Sequence, residues 1–248
     1  MVKLSAVMIV KNESANLRRC VESLSCVDEI IVLDTGSTDD TLQLANELGC
    51  RPAKLAVWEG FGKAKQAAVD LATNDWVLSI DADEVLTPEL QREIGELARL
   101  DFKGFAWRIK RRTWYLGKLI RFCGWQHDKP VRIFDRRKGS FSSKAVHEGV
   151  RPGTGIRDCR GIMYHYSYPN LPSHVAKMRF YGELGAREMW DKGRHGDPGT
   201  AVLRAVGKFI RMYFLQLGFL DGWQGLQLCA YSAWGLWYKY HLLWKLGR

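Results

Sequence analysis

The sequence predicts an α/β domain with a doubly wound, mostly parallel mixed sheet, followed by a C-terminal helical extension. Three observations predict it. Short apolar runs alternate with segments of helical spacing from residue 4 to about residue 90. The residues Glu13, Asp34, Gly36 and Asp81 fall where successive apolar runs end. Past a Gly/Pro-containing stretch at 193–199 the chain becomes aromatic and amphipathic. With 248 residues, 46% hydrophobic and 26% charged, the chain can bury a sizeable core and is not disordered by composition.

Leu4 to Val10 reads as a first buried strand, broken by Lys11-Asn12-Glu13. From Ser14, a candidate cap, Leu17, Val21 and Leu24 recur at helical spacing. Asp28 to Asp34 is a second strand, and Thr35 to Asp39 is a polar turn opening a helix through Leu42, Ala45 and Leu48. Lys54 to Val57 is read as the third strand, Gly62 to Ala72 as an Ala-rich helix and Trp76 to Ile80 as the fourth strand. Thr87-Pro88 opens another helix, since Thr can cap and Pro fits the first helical position. In such sheets ligands sit beyond the carboxyl ends of the strands, where Glu13, Asp34, Gly36 and Asp81 lie.

The stretch Ser79-Ile80-Asp81-Ala82-Asp83-Glu84 carries two carboxylates one residue apart directly after the fourth strand. An extended chain would turn both to the same side, because its side chains repeat every second residue. Two oxygen ligands so placed suit a hard divalent cation, magnesium or manganese, that also takes oxygens from a phosphate. An acidic turn that merely caps the following helix is the alternative.

The net charge of +10 points to anionic partners. Residues 103–138 hold twelve Lys or Arg against Asp128 and Asp135, so this one window equals the whole excess. A solvated basic face and nucleic-acid binding compete for it. The absence of zinc-finger spacing and of an RNP-like aromatic signature argues against nucleic acid and favours a phosphorylated acceptor or an anionic membrane surface. The six cysteines show no CxxC pair and read as reduced thiols of a cytosolic protein. The first residues lack the long apolar core and cleavage site of a secretory signal, so export is not expected.

Four spaced motifs carry a family resemblance: Val10-Lys11-Asn12-Glu13, Val32-Leu33-Asp34-Thr35-Gly36-Ser37-Thr38-Asp39, Lys63-Ala64-Lys65-Gln66 and Asp81-Ala82-Asp83. Together they resemble the donor half of a family 2 inverting glycosyltransferase, over residues 4 to about 90. Val131-Arg132-Ile133-Phe134, Val146-His147-Glu148 and His165-Tyr166-Ser167-Tyr168 are similar to bacterial lipopolysaccharide core beta-glucosyltransferases. The resemblance implies the nucleotide-diphospho-sugar transferase fold and a set of roles. Asp34 would accept the imino N–H of a uracil and Glu13 would orient the same nucleoside. The alternative for Asp34 is a turn residue bonding its own backbone, but Asp39 already stands available as a helix cap. Lys65 would neutralise diphosphate charge, or is a surface lysine. Asp81 and Asp83 would hold Mn or Mg across the two phosphates of the donor, with His165 completing the coordination. His147 is the alternative ligand, or contacts phosphate beside Glu148. Glu148 would take the proton of the acceptor hydroxyl, and Glu84 is the rival base.

The Gly/Pro-containing stretch 193–199 is read as the linker that ends a catalytic domain over residues 1–192, with a donor-binding half to about 100 and an acceptor half to 192. A helical extension would cover 193–248. On a helical projection of 202–217, Val206, Phe209, Ile210, Tyr213 and Leu217 lie opposite Arg204, Lys208 and Arg211. The uncharged, Trp- and Tyr-rich stretch Gly222 to Tyr238 is shorter than the ~20 residues that cross a bilayer, and reads as interfacial. A helical pair packed on the catalytic domain is the alternative. The expectation is an enzyme that moves a hexose, glucose from UDP-glucose, onto a phosphorylated lipid-linked saccharide such as an inner-core heptose. It would work as a peripheral protein at the cytoplasmic face of the plasma membrane. The competing readings are transfer to a protein or soluble glycan, and a non-enzymatic basic nucleic-acid binder.

Overall fold

Leu4–Val10 forms β1, residue for residue the stretch predicted. The structure is a computed structural model that describes residues 2–142 and 149–247. After β1 come α1 (Ser14–Glu22), β2 (Glu29–Asp34), α2 (Thr41–Glu47), β3 (Arg51–Lys54), α3 (Phe61–Asp70) and β4 (Trp76–Ser79). Then follow β5 (Glu84–Leu86), α4 (Pro88–Arg99), β6 (Ala106–Tyr115), β7 (Lys118–Leu119), β8 (Val131–Asp135), β9 (Ser140–Phe141), β10 (Val150–Arg151) and β11 (Ile156–Tyr168). Three long helices close the chain: α5 (Leu171–Asp191), α6 (Pro198–Ile210) and α7 (Gly222–Leu246). The chain packs as two units, residues 1–111 with 129–165, and residues 112–128 with 166–248. Residues 166–192, grouped with the catalytic domain in the sequence reading, pack in the second unit.

The main sheet runs β3-β2-β1-β4-β8-β6-β11-β5, with β7 on β6, while β9 and β10 form a separate pair. The first four strands are parallel. Beyond β4 the sheet becomes antiparallel, β4 pairing with β8, β8 with β6, and β11 with β5. Successive residues of β1 face opposite layers. Ala6, Met8 and Val10 pack with Leu17, Leu24, Leu90 and Ile94, whereas Val7 packs with Ile31, Leu33, Ala68 and Val69. Burial on both faces is why β1 and β2 read as unbroken apolar runs rather than as alternating ones.

Two local expectations are corrected. The third strand is Arg51–Lys54, not Lys54–Val57, because its register sets Arg51 opposite Ile31 and Lys54 opposite Asp34. It is an edge strand, where Pro52 is tolerated. The apolar residues after it leave the sheet, and Val57 is 67% exposed. Ser14 is not the cap of α1: Glu13 holds that position without a side-chain bond, and the Ser14 hydroxyl donates to Asp39 at 2.7 Å. Thr87 does cap α4, accepting from the Leu90 N–H at 3.3 Å.

In the second unit, Asn170 caps α5 through Ser173 N–H and Asp197 caps α6 through Thr200 N–H. The predicted 202–217 helix ends at Ile210, where a wide π-helical turn over Arg211–Leu215 leads into Leu217 with left-handed backbone. Residues Gly222 to Tyr238 lie in α7, which packs against α5 and α6 and buries Gly225, Leu228, Cys229 and Ala233. The close approach needs small residues, since a Cβ at Gly182 would lie 2.8 Å from the Tyr238 ring. That stretch therefore packs within the second unit, on α5 and α6. Leu203, Val206, Leu215 and Trp223, on α6 and beyond it, are among the exposed large apolar side chains. Among the described residues no helix is long and apolar enough to cross a membrane.

Buried His174 lies 2.9 Å from the Tyr115 hydroxyl, with its ring against Tyr168 and Tyr231. Burial, with Lys177 nearby, pushes its pKa down to about 4. The unfolded chain, with a histidine pKa of ~6.5, binds the proton more readily, so stability falls as pH drops from ~6.5 toward the folded value. The expected loss reaches ~3 kcal/mol. Urea unfolding at pH 7 and at pH 4.5 should show it, and His174→Asn should remove most of the difference.

Candidate active site

The site forms at the carboxyl ends of β1, β2 and β4. The loops after β1 and β2 are tied together. Asn12, with left-handed backbone, accepts from Thr38 N–H at 2.7 Å and donates its own N–H to the Ser37 hydroxyl at 2.9 Å. Glu13 N–H donates to Thr41 Oγ1 at 2.8 Å, and the Glu13 carboxylate accepts from Asn16 at 2.8 Å. Asp34, only 4% exposed, accepts from the backbone N–H groups of Gly36 and Ser37 at 3.2 and 3.0 Å. Asp34 makes these turn contacts around a Gly36 whose φ of 108° suits glycine.

At the end of β4 the chain does not stay extended. Glu84 N–H donates to the Asp81 carbonyl at 2.9 Å, closing a tight turn through Ala82 and Asp83. The extended geometry behind the alternation expected from the sequence therefore ends at Asp81. Asp81 meets Lys65 Nζ at 2.9 Å and Arg132 Nη2 at 3.1 Å. Burial alone would raise its pKa, but Lys65, Arg132 and Arg111 outweigh that and hold it well below the usual carboxylate range. Glu84 is fully buried, ion-paired with Arg132 and with Arg111 (3.0 Å), and accepts from Asp81 N–H at 2.9 Å. A carboxylate so enclosed is a scaffold, not the rival base. Lys65, Arg111 and Arg132 thus bring three cationic side chains to the strand ends, groups of the kind that meet the oxygens of a diphosphate.

Asp83 instead faces His165, Oδ2 to Nε2 3.4 Å. The antiparallel pairing of β11 with β5 makes this contact by setting His165 opposite Glu84, one residue past Asp83. Ligands at ~2.0–2.1 Å in octahedral geometry lie ~3 Å apart when adjacent, so this carboxylate and imidazole fit one divalent cation. Imidazole favours manganese over magnesium. Among the described residues no three His, Cys, Asp or Glu side chains gather into a metal cluster. His147 and Glu148 lie outside the described residues.

Arg111 and Arg132 are the residues that sequence reasoning missed. Both stand in the basic window, and the signal lay in Val131-Arg132-Ile133-Phe134, an arginine inside an apolar run. A charge in a buried strand requires a buried partner.

The profile described as Glycosyl transferase family 2 matches residues 5–121. The chain is 31% identical over 239 residues to an uncharacterized glycosyltransferase of Rickettsia typhi, covering 91% of this chain and 81% of that protein. It is 30% identical over 217 residues to the lipopolysaccharide core biosynthesis glycosyltransferase LpsC of Rhizobium meliloti, covering 85% and 80%. Among solved structures, glucosyl-3-phosphoglycerate synthase from Mycobacterium tuberculosis, in complex with Mn2+, UDP and glucosyl-3-phosphoglycerate, is 28% identical. That match covers 46% of this chain and 44% of the other, with a TM-score of 0.37. The profile match takes in β1, both strand-end loops, Lys65, Asp81, Asp83, Glu84 and Arg111, and the Rickettsia and Rhizobium relatives align along most of their length: the chain belongs to glycosyl transferase family 2.

Proposed function

We propose that this glycosyltransferase moves glucose from UDP-glucose, with inversion, onto a phosphorylated lipid-linked saccharide, a heptose of the lipopolysaccharide inner core. The observation that carries the donor reading is the Asp83–His165 pair beside the Lys65, Asp81 and Arg132 ion pairs at the strand ends. The acceptor reading draws on the name of the Rhizobium relative. Asp34 and Glu13 orient the uracil nucleoside, and Lys65 and Asp81 meet the diphosphate. Asp83 and His165 hold Mn or Mg, which when bound supplies Lewis-acid stabilisation of charge on the departing diphosphate. Glu148 takes the proton of the attacking hydroxyl, with His147 holding it or contacting phosphate. The exposed Leu203, Val206, Leu215 and Trp223, together with the basic 103–138 window, favour attachment to the anionic cytoplasmic face of the plasma membrane.

A screen of nucleotide sugars for protection against thermal unfolding tests this. UDP-glucose with manganese, at ~100 times its Kd, should stabilise the chain by ~2.7 kcal/mol, and chelation should abolish the effect. Glu148→Gln should keep that protection while transfer falls ~100-fold. Protection indifferent to metal or to the nucleotide sinks the donor reading, and normal turnover by Glu148→Gln removes its role as base.

A further inference from the structure

The second unit contains a cavity of about 570 Å³ whose lining includes Trp125, Arg204, Lys208, Arg211, Gln216 and Ser232. No Asp or Glu is among its lining residues. Arg204, Lys208 and Arg211 recur at i, i+4 and i+7, so they form one stripe of α6 and its exit turn. This is the basic side recognised in the sequence: Arg204 and Arg211 are exposed and Lys208 is half-buried where they line the cavity. Gathering like charges is unfavourable. Burial, with Lys239 and Arg211 nearby, pushes the Lys208 pKa down, and burial together with Arg204 does the same to Lys239. An anion would relieve that repulsion.

The polar remainder of the wall is built rather than incidental. Cys123 N–H donates to the Gln216 carbonyl at 3.1 Å. Gly124, with a φ of 85°, admits the Gln216 amide where a Cβ would come within 2.4 Å of it. Trp125 is stacked on Tyr168 at 6.1 Å and set edge-on to Tyr115, which fixes its ring. The volume exceeds what a lone phosphate needs and lies in the usual range for small-molecule sites of ~300–1,000 Å³.

We propose that this cavity binds a phosphorylated saccharide, with Arg204, Lys208 and Arg211 taking the phosphoryl group and Trp125, Gln216 and Ser232 the sugar. Arginine forks and an ammonium match phosphate oxygens, while a fixed aromatic wall and neutral polar groups match a hydroxylated ring. Only the identity of this sugar as the transfer acceptor rests on the function proposed above; the phosphosugar site itself does not.

The test is calorimetric titration of the full chain with mannose 6-phosphate, mannose and inorganic phosphate, each in the absence of donor. Mannose 6-phosphate should bind saturably and at least ~10-fold more tightly than either part alone. Lys208→Ala and Arg211→Ala should each weaken it ~10-fold or more, and Trp125→Ala should weaken the phosphosugar but not inorganic phosphate. An unchanged melting temperature of the variants shows that they remain folded. UDP-glucose protection, measured in parallel, reports the donor site separately. Equal affinity for mannose and its phosphate, or affinity unchanged in all three variants, overturns the proposal. So does a loss confined to binding of phosphatidylcholine vesicles carrying about 20 mol% phosphatidic acid, which would make the cavity a lipid-headgroup site.

Discussion

Asp83→Ala is expected to lower glycosyl transfer ~10³-fold while leaving the protein folded. The Asp83 carboxylate and His165 imidazole stand 3.4 Å apart and fit one divalent cation. Lewis-acid stabilisation of a leaving diphosphate amounts to several kcal/mol, and each ~1.4 kcal/mol is a factor of ten in rate. His165→Ala should act in the same direction. If both side chains hold one ion, the double variant should be little slower than Asp83→Ala alone, because the second substitution removes a ligand already deprived of its purpose. The readout is the transfer rate against manganese concentration. A rate and a metal requirement that stay at the parent level in Asp83→Ala dispose of the pair as a metal site. Asp81→Ala discriminates further. Asp81 is engaged by Lys65 and Arg132, so its loss should raise the donor KM more than it changes the metal requirement.

The parallel half of the sheet was legible because β1, β2 and β4 are buried on both faces and connected by helices of clear period. β3 was displaced because an edge strand needs no apolar run: Arg51-Pro52-Ala53-Lys54 pairs with β2 through its backbone, while the more apolar residues after it leave the sheet. The antiparallel half was largely invisible for a related reason. β6, β8 and β11 carry charges whose partners lie far along the chain, so no local pattern marks them as strands of one sheet. The site follows the same division. Asp83 and His165 were both singled out, but the three-residue strand β5, which brings them together, was not foreseen. Alternation along an extended chain put Asp81 and Asp83 on one side, and a turn closed by a single backbone hydrogen bond overrode it. Arg111 and Arg132 belong to the basic 103–138 window, and sequence spacing cannot show that Glu84 lies between them.

Glu84→Gln should cost ~3–5 kcal/mol of folding stability, the largest loss expected of any single substitution in the first unit. Glu84 is fully buried, and the Arg132 side chain is 6% exposed. Neutralising the carboxylate keeps its shape and an acceptor for the Asp81 N–H, but removes the buried counter-charge that Arg111 and Arg132 share. The exposed pair of Lys63 on α3 with Glu59 just before it is the contrast: both side chains are more than half exposed, and removing either should change stability by less than ~1 kcal/mol. For a chain of this size the Glu84 loss corresponds to a fall in melting temperature of roughly 10 °C. Replacing the pair together, Glu84→Gln with Arg132→Met, should recover part of it, because the uncompensated buried charge is then gone. Thermal unfolding of the three variants separates this scaffold role from a catalytic one. A base would show a collapse of the rate with an unchanged melting temperature, whereas a scaffold shows the melting temperature falling and Asp81 losing the frame that holds it against Lys65.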